Sequence, residues 1–582
     1  MFYDLDHRVQ ALFEPVGSNL KTICTYNFFY GKDQTIVINP ALLKIQYLFS
    51  DHRLTQINYF STQTRDIFSP AGLEKLPKPH FCFLRQESFE WSEKPFQEGW
   101  LKSKSVGIGD HLFHLKAFEY DRQGNILVER IYGNLSGRKE GTFERHKKEH
   151  TDHCTLRYAY TDDGRNLVSE KSTSEGLKTP YAYLPENNLR TKEVQIYDGK
   201  IQEELFREFD ENGQISRIIQ DDGSGEEAAD LTDVTFRQMK KIFSCKEKNT
   251  AFFGKPEKIV ELKGNAQGEL QRIKTCTFSY DKNGNETKQI VYDSNNEFCY
   301  ETTKSYDKRQ RLKESVDPLG QTTVYQYGEA NNRIYEELKG SGKVTQYEYD
   351  LFKRLIAKIE SHLEGERFIT TYAYDAVYRL VSEIDSYSHQ TDYEYDHLGR
   401  QTSRIKPAIW LSDQQKWQRP VSRKEYNPLN QAISCTDENG NTTHYKYNIY
   451  GKPTEILYPD GTAESNLYYR SGWLKQKNYA DGTSTAFTYD AKGNVLTGTF
   501  SDKNEQPLKE VSYGYKGSLF QFKQDVMGLV TTYSYDEKGR KIREIIGEGL
   551  KEIHYRYDDF DRLIEIRSLP NQETRIESYR YD

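Results

Sequence analysis

The residues best able to do chemistry in this sequence are aspartates that recur at regular intervals. Recurring carboxylates can act as general acids or bases, or as calcium ligands. Here, however, an aspartate follows a tyrosine in many equivalent copies, as in Tyr395-Asp396 and Tyr535-Asp536. So many copies favour a structural role, in which each aspartate accepts hydrogen bonds from the backbone and starts a turn.

His146, His150 and His153, with Cys154, form the only local cluster of residue types that bind zinc. A helix would place His146 and His150 on one face, as a zinc site needs. The residues between them are highly charged and offer no apolar support. We therefore predict a solvated loop here, and neither a metal nor another cofactor.

Two glycine-containing segments match nucleotide-binding motifs only in part. Gly340-Ser341-Gly342-Lys343 has Glu337 where a P-loop has its first glycine, and Val344 where it has Ser or Thr. Gly107-Ile108-Gly109-Asp110 has Leu112 at the third glycine position of a dinucleotide fingerprint. We predict a hairpin turn for the first segment, no dinucleotide site at the second, and no enzymatic activity.

The composition is typical of half-buried β-sheet. The 582 residues include 44 tyrosines and 29 phenylalanines, but only 36% are hydrophobic, and tyrosine combines a strand-forming ring with a polar tip. A net charge of −7 with mixed signs argues against a nucleic-acid partner. Seven scattered cysteines suggest isolated thiols. Neither a signal peptide nor an apolar run long enough to span a membrane is visible, and the compartment stays open.

The dominant feature is a repeat of the form aromatic-x-Tyr-Asp-x-x-Gly-Arg/Asn. Strand alternation places its two aromatic residues on the same face, and the glycine supplies the positive φ of a three-residue hairpin with a bulge. We assign structural roles to Tyr280, Asp281, Gly284, Tyr349, Asp350, Tyr374, Asp375, Tyr395, Asp396, Gly399, Arg400, Tyr489, Asp490, Gly493, Tyr535, Asp536, Gly539, Arg540, Tyr557 and Asp558.

A second set of turns lies about midway between the tyrosine–aspartate turns, as in Pro459-Asp460-Gly461 and Ala480-Asp481-Gly482. Turns therefore alternate about every ten residues, with strands of six or seven residues between them. The sequence predicts an all-β chain, a long antiparallel hairpin meander of on the order of 50 strands. Because strand twist has a fixed hand, a meander of this length must coil.

The regularity of the repeat divides the chain into three parts. We expect an irregular β region with degenerate repeats at 1–118, divergent repeats at 119–275 with an acidic, exposed loop near 221–230, and regular repeats at 276–582. An inserted hairpin or loop near 403–422 carries Trp410 and Trp417. The spacing of Phe236, Met239 and Phe243 permits a helix, although isolated strands fit it too.

The motif closely resembles the YD repeats of bacterial RHS proteins, which are shared by the C components of insecticidal toxin complexes and by teneurins. Tyr132-Gly133-Asn134-Leu135-Ser136-Gly137 and the segment 183–189 add to the resemblance. It implies a hollow shell around a C-terminal toxin that aspartyl self-cleavage releases. Asp317-Pro318-Leu319-Gly320 is followed by Gln321, where the cleavage signature has leucine. We therefore carry over neither the protease nor the toxin, and expect a fragment that lacks both.

The resulting expectation is a structural segment of a complete or partial hollow shell that encapsulates or presents a polypeptide cargo. The alternative is a cell-surface module that binds carbohydrate or a receptor. The expected partners are a missing continuation of the shell, a polypeptide cargo or a glycan, and the resemblance suggests a secreted or cell-surface location. Because the repeats are cut at both ends, open strand edges should make the isolated chain self-associate.

Overall fold

A computed structural model describes residues 2–3, 9–16, 21–39, 43–61, 82–138, 142–197, 199–232, 234, 237–264, 269–362, 365–490, 492–516, 519–536, 540–558, 562–570 and 575–580. Two residues that carry sequence predictions, Phe236 and Gly539, lie outside the described residues.

The described chain is built from 48 strands. The first sixteen are β1 (Phe2–Tyr3), β2 (Val9–Val16), β3 (Lys21–Tyr30), β4 (Gln34–Ile38), β5 (Leu43–Ser50), β6 (Arg53–Ser61), β7 (Cys82–Trp91), β8 (Leu101–Ile108), β9 (His111–Tyr120), β10 (Ile126–Gly133), β11 (Phe143–Glu144), β12 (His153–Tyr160), β13 (Val168–Thr173), β14 (Lys178–Tyr183), β15 (Arg190–Tyr197) and β16 (Lys200–Phe209). The next sixteen are β17 (Ile215–Asp221), β18 (Arg237–Ser244), β19 (Pro256–Gly264), β20 (Leu270–Tyr280), β21 (Glu286–Tyr292), β22 (Phe298–Tyr306), β23 (Leu312–Val316), β24 (Thr322–Tyr327), β25 (Arg333–Leu338), β26 (Lys343–Tyr349), β27 (Leu355–Ser361), β28 (Arg367–Tyr374), β29 (Leu380–Ile384), β30 (Gln390–Tyr395), β31 (Gln401–Ile405) and β32 (Ile409–Leu411). The last sixteen are β33 (Lys416–Gln418), β34 (Val421–Tyr426), β35 (Ala432–Thr436), β36 (Thr442–Tyr447), β37 (Pro453–Leu457), β38 (Ala463–Tyr468), β39 (Leu474–Asn478), β40 (Ser484–Tyr489), β41 (Val495–Ser501), β42 (Pro507–Lys516), β43 (Leu519–Gln524), β44 (Val530–Tyr535), β45 (Lys541–Ile546), β46 (Lys551–Tyr557), β47 (Leu563–Pro570) and β48 (Arg575–Ser578).

The strands form an antiparallel meander, in which a strand typically pairs with the next one along the chain. In β28 and β29, for example, Thr371 lies opposite Ile384 and Tyr372 opposite Glu383. Of the 48 strands, 46 belong to one sheet, while β32 and β33 form a separate hairpin. The predicted all-β class and hairpin meander are confirmed.

The chain folds as two compact units, each assembled from three segments. Unit 1 comprises residues 1–156, 327–335 and 341–480, and unit 2 comprises residues 157–326, 336–340 and 481–582. A small core in unit 1 is formed by Leu112, Leu115 and Tyr132. The corresponding core in unit 2 is formed by Phe206, Ile219 and Met239.

The regular repeats contain very little buried apolar material. Among the described residues from 276 onward, the buried apolar side chains are Cys276, Val291, Ala357, Tyr468 and Val511. The tyrosine rings are mostly half-buried instead. Burial of aliphatic side chains, the usual dominant source of stability, is therefore supplemented here by hydrogen bonds and by ring contacts between neighbouring hairpins.

A short 3-10 helix, Arg145–His150, interrupts the strands. In the described part of the chain, no helix has the length and apolar character to cross a bilayer.

The structure decides three sequence expectations about the less regular segments. The permitted helix near residues 235–243 is wrong, because Arg237–Ser244 is strand β18, paired with β17 and β19. The acidic segment is not uniformly exposed, because Asp221 is buried beside Arg237 while Glu226 and Glu227 are exposed. The insertion that carries the two tryptophans is a hairpin, as one of the two sequence alternatives stated.

Candidate functional site

The repeated tyrosine–aspartate turn recurs through the regular repeats, and the turn at Asp375 illustrates its geometry. Asp375 Oδ1 accepts hydrogen bonds from the backbone N–H groups of Val377 and Arg379, both at 2.9 Å. Asp375 Oδ2 accepts from Arg379 Nε at 2.6 Å. Both carboxylate oxygens are therefore engaged within the turn, which suits a structural role rather than acid–base chemistry.

The same acceptor geometry recurs along the chain. The amides two and four residues on both donate to Oδ1 of Asp281, Asp350 and Asp490. The amide four residues on donates to Oδ1 of Asp396, Asp536 and Asp558. The glycines of these turns have a positive φ, with values of 83° at Gly284, 82° at Gly399 and 87° at Gly493.

In most of these turns the preceding tyrosine ties its strand to the preceding hairpin. Tyr395, for example, donates from its hydroxyl to the carbonyl of Leu380 at 2.7 Å. Equivalent bonds, between 2.6 and 2.9 Å, are made by Tyr280, Tyr349, Tyr374, Tyr426, Tyr447, Tyr535 and Tyr557. The ring thus packs against its neighbour while its polar tip satisfies a strand-end carbonyl.

Long side chains at the end of each turn link successive turns of unit 1 into a spine. Arg379 donates to the carbonyl of Asp396 at 2.9 Å and covers the ring of Tyr395, with its guanidinium carbon 4.9 Å from the ring centroid. Arg400 does the same to Asn427 and Tyr426. The spine continues through equivalent bonds from Arg354 to Asp375, from Gln431 to Asn448 and from Lys452 to Gly472.

Replacing Arg379 by asparagine should isolate the contribution of this spine. Asparagine occupies the same position at Asn285 and Asn494, where it bonds only the aspartate of its own turn. The variant therefore keeps the turn and loses the bond to Asp396 and the cation over the ring. We expect a loss of about 2 kcal/mol in unfolding free energy, measured by urea titration. The exposed Arg423, changed to asparagine, is the control and should cost less than about 1 kcal/mol.

A segment far away in sequence docks on this spine within unit 1. Asn448 Nδ2 donates to the carbonyl of Leu135 at 3.0 Å, across 313 residues. The amides of Ile449 and Tyr468 donate to the carbonyls of Asn134 and Ser136, both at 2.9 Å. Leu135 is fully buried and Asn448 is 1% exposed. The segment Asn134–Gly137, called the docking segment, is therefore hydrogen-bonded to the repeats that contain Asn448 and Tyr468.

Close backbone approach at the docking segment requires glycine. A Cβ atom on Gly137 would lie 2.8 Å from a Thr454 methyl group and 2.9 Å from the carbonyl oxygen of Asn466, and its φ is +81°. Asp152 fixes the segment from the other side, since one carboxylate oxygen accepts from both the amide and the hydroxyl of Ser136. The docking segment is thus specified by shape as well as by hydrogen bonds.

A concavity of unit 1, about 1550 Å³ in volume, lies over strands β5–β10 and the 3-10 helix. Glu90 Oε1 accepts from Arg145 at 2.6 Å, and Glu90 Oε2 accepts from the hydroxyl of Ser103 at 2.9 Å. Arg145 also donates to the hydroxyl of Ser105 at 2.7 Å. These charges pair with one another and join the 3-10 helix to strands β7 and β8, so a structural ion pair lines the concavity.

His114, on strand β9, makes the stability of unit 1 depend on pH. Burial, and the neighbouring cations Lys116 and Lys104, lower the pKa of His114 from 6.5 to about 4, against an opposing effect of Glu129. The unfolded chain therefore takes up a proton first as the pH falls, and stability is lost between pH 6.5 and 4.

We expect this loss to be about 2–3 kcal/mol, observed as the change in unfolding free energy between pH 7 and 4. His114→Gln, which cannot titrate, should flatten that part of the profile. An identical profile for the variant would show that other groups cause the loss.

The remaining sequence candidates do not converge on a chemical site. His146 contacts Glu144 at 2.8 Å, His153 packs on the ring of Tyr132, and Cys154 is buried. No group of three or more potential metal ligands occurs among the residues that the structure describes. Gly340–Lys343 lies between strands β25 and β26, and Gly107–Asp110 lies at the end of β8 and the turn to β9.

Two arrangements were not foreseen from the sequence. The contact of the docking segment with Asn448 joins residues 313 positions apart, and no local spacing indicates it. In unit 2, Arg237 donates from Nε to Asp221 at 2.8 Å and also to the carbonyls of Ala228 and Asp230. The only sequence signal for this ion pair is an arginine and an aspartate 16 residues apart, which is not specific.

Comparisons with known proteins find one family profile and several solved structures. The profile of the RHS Repeat family matches residues 306–335 and 426–463. No curated protein matches the chain. The crystal structure of TcdB2-TccC3 aligns over 98% of this chain and 35% of that chain, with a TM-score of 0.41 and 12% identity. The Photorhabdus luminescens Tc holotoxin pore aligns over 98% and 36%, with a TM-score of 0.41 and 11% identity.

A further structure, TcdB2-TccC3 without its hypervariable C-terminal region, aligns over 97% of this chain and 43% of that chain, with a TM-score of 0.34 and 10% identity. The chain thus spans well under half the length of these solved chains. The family profile covers two stretches that contain tyrosine-led turns, at Tyr306 and Tyr426. Tyrosines with the same hydroxyl-to-carbonyl bond recur before, between and after those stretches. The described chain therefore contains RHS repeats, which the family profile places at residues 306–335 and 426–463.

Proposed function

We propose that the chain is a structural segment of an RHS-repeat shell that encloses or presents a polypeptide cargo. The observation that carries this proposal is the tyrosine-bearing face of the regular repeats. Its rings are mostly half-buried, and the described residues from 276 onward bury only five apolar side chains. A sheet face that carries many aromatic rings but has few buried apolar side chains of its own is suited to pack against another polypeptide.

The chemistry of this face supports a polypeptide as the occupant. Tyr555 donates to Glu544 at 3.0 Å, Lys541 contacts the same carboxylate at 2.9 Å, and Lys541 Nζ lies 4.2 Å from the centroid of the Tyr555 ring. Tyr59, Glu87 and Arg85 repeat the arrangement in unit 1. Because acid and base pair with each other beside these two rings, the rings offer an amphipathic surface without a dominant charge, which suits a polypeptide of mixed sequence.

The aspartates of the turns support a structural role over an enzymatic one. Where the turn ends in arginine, as at Asp375 and Asp350, both carboxylate oxygens already accept hydrogen bonds within the turn. A general base needs an oxygen free to take a proton from a substrate. The proposed partners are accordingly a continuation of the shell and an enclosed or displayed polypeptide.

Tyrosine labelling with reagents of two sizes tests enclosure. Tetranitromethane is small enough to enter a shell, whereas lactoperoxidase, which iodinates tyrosine, is a protein too large to enter one. For each tyrosine, the ratio of labelling by the two reagents is read by peptide mass spectrometry. The half-buried rings of Tyr372, Tyr393, Tyr533 and Tyr555 should react with the small reagent alone, while the 70% exposed Tyr387 should react with both.

Equal labelling of the facing tyrosines by both reagents would show an open surface and contradict enclosure. Retention on a glycan array together with such open labelling would favour the alternative, a binding module whose tyrosine face is free for ligand. A polypeptide that copurifies with the chain and resists added protease until the chain is unfolded would support the proposal directly.

A further inference from the structure

Strand β16 of unit 2 carries a carboxylate that is almost completely removed from water. The side chain of Glu204 is 2% exposed, whereas the next most buried acids in the described lysine–carboxylate pairs, Glu129 and Glu464, are 15% exposed. Lys192, on β15, places its Nζ atom 3.0 Å from Glu204 Oε1. No described group forms a hydrogen bond to that oxygen. The two side chains are therefore in contact without the geometry of a charge-assisted hydrogen bond.

An ion pair in this position is poorly compensated. The cost of removing two charges from water is repaid only where their geometry is excellent and further hydrogen bonds are made. Asp221, directly opposite Glu204 on β17, adds a second carboxylate at the same place. Burial raises the pKa of Glu204, Lys192 and Arg237 oppose that rise, and Asp221 adds to it. Transfer of one proton from the Lys192 ammonium to Glu204 would therefore replace two poorly paired charges by a neutral amine and a neutral carboxyl.

Lys192 is held against Glu204 by its other contacts. Its Nζ atom donates to the carbonyl of Gly225 at 2.8 Å and to that of Glu226 at 3.3 Å, and it lies 5.0 Å from the ring centroid of Phe206. Reacting atoms in a near-attack arrangement are about 3–3.5 Å apart, and well-oriented intramolecular reactions reach effective concentrations of about 10⁵–10⁸ M. Proximity thus favours condensation of the two side chains.

We propose that Lys192 and Glu204 are joined by a spontaneous isopeptide bond. The amine nitrogen of Lys192 attacks Cδ of the neutral Glu204 carboxyl, so that an Nζ–Cδ bond forms and one Cδ–O bond breaks. The departing hydroxyl takes a proton from the nitrogen and leaves as water. Nothing is oxidised or reduced, and no co-reactant is needed. The new amide N–H keeps a donor for the carbonyl of Gly225.

Burial also protects the product, because water that would hydrolyse the amide is excluded from Glu204. The bond would tie β15 covalently to β16, two strands that are otherwise joined by backbone hydrogen bonds. Lys240 and Glu261 provide the contrast within unit 2. Their atoms are 3.1 Å apart, but Lys240 is 55% exposed, so both charges stay hydrated and we expect no bond between them. This cross-link is independent of the proposed enclosure of a cargo.

The mass of the intact, denatured full-length chain is the first test. We expect a mass lower by one water molecule than the sequence requires. Lys192→Arg keeps a cation at the same position but removes the amine, so this variant should have the full mass of its sequence. Lys240→Arg, the matched control at the exposed pair, should show the same loss of water as the parent.

Tryptic peptides locate the bond. In the parent, the peptides 191–200 and 201–207 should remain joined through Lys192 and Glu204. Digestion in heavy-oxygen water distinguishes this product from a peptide that trypsin has left uncut. A joined pair has two newly formed C-terminal carboxyls that take up the label, at Lys200 and Arg207, whereas an uncut peptide has one. Fragment ions then assign the bond to Glu204 rather than to Glu203.

Each outcome decides the proposal. Joined peptides in the parent, absent from Lys192→Arg, would support the isopeptide bond. A parent of full mass with separate peptides, even after prolonged incubation of the folded chain at neutral pH, would overturn it and leave a buried ion pair. A loss of water that persists in Lys192→Arg would place the reaction elsewhere and overturn it as well. Because the parent is informative by itself, the test does not depend on the folding of any variant.

Discussion

Replacing Asn448 by aspartate is expected to destabilise unit 1 by about 3–5 kcal/mol, although aspartate is the usual residue after the tyrosine of the repeat. The Oδ1 atom of Asn448 accepts from the amides of Tyr450 and Lys452, just as the aspartates do. Its Nδ2 atom donates to the carbonyl of Leu135. Aspartate would keep the turn, but would place a buried carboxylate oxygen against that carbonyl, with no donor between them.

Asn427→Asp is the matched control, because Asn427 forms the same turn but donates only to the side chain of Gln431. It should cost less than about 1 kcal/mol. Hydrogen exchange at the amides of Ile449 and Tyr468, which bond the docking segment, locates the effect. At low pH the Asn448→Asp deficit should shrink, since a protonated carboxyl can donate to Leu135. Equal deficits in the two variants, independent of pH, would contradict the assigned bond.

Replacing Arg237 by methionine should cost unit 2 about 3–5 kcal/mol. Its side chain is 6% exposed and that of Asp221 is 0% exposed, with the two groups 2.6 Å apart. Burial raises the pKa of Asp221, and Arg237 opposes that rise. The variant leaves a buried carboxylate without its cation, and removes the donors to the carbonyls of Ala228 and Asp230.

Lys240→Met tests the same kind of change on the same strand. Lys240 pairs with Glu261 at 3.1 Å, but its side chain is 55% exposed, and an exposed ion pair contributes at most about 1 kcal/mol. Unfolding by urea, followed by circular dichroism, compares the two variants. If Arg237→Met proves no costlier than Lys240→Met, the buried pair does not organise the segment 221–237.

The local geometry of the repeat could be predicted from the sequence, because five or six consecutive residues determine each turn. Aspartate with glycine three positions on predicts the backbone acceptor and the positive φ. The turn keeps its backbone conformation even without the preferred glycine, since Gln310, Lys353 and Tyr378 adopt a positive φ of 63–68° at the glycine position. The arginine spine is harder to foresee, because its effect depends on the distance to the next hairpin and not on any spacing within one turn.

Contacts between distant parts of the chain could not be predicted from one sequence. The segment Tyr132–Gly137 was recognised only as a pattern that resembles the family, and nothing in the sequence marks Asn448 as its partner. The structure explains why asparagine occupies position 448, because an amide side chain both accepts a hydrogen bond within the turn and donates one to the carbonyl of Leu135. Likewise, Asp221 was assigned to an exposed loop, because charged residues are usually exposed. The ion pair with Arg237 allows Asp221 to be buried instead.

The docking segment also has a consequence for how the protein is made. Most strands pair with neighbours that are synthesised within seconds of them, so hairpins can form as the chain leaves the ribosome. Leu135, in contrast, must wait for Asn448, which lies 313 residues later. At about 5–20 residues per second, that interval is roughly 15–60 s. During this time the docking segment lacks its native partners and the apolar side chain of Leu135 stays unburied, so aggregation competes with folding in that interval.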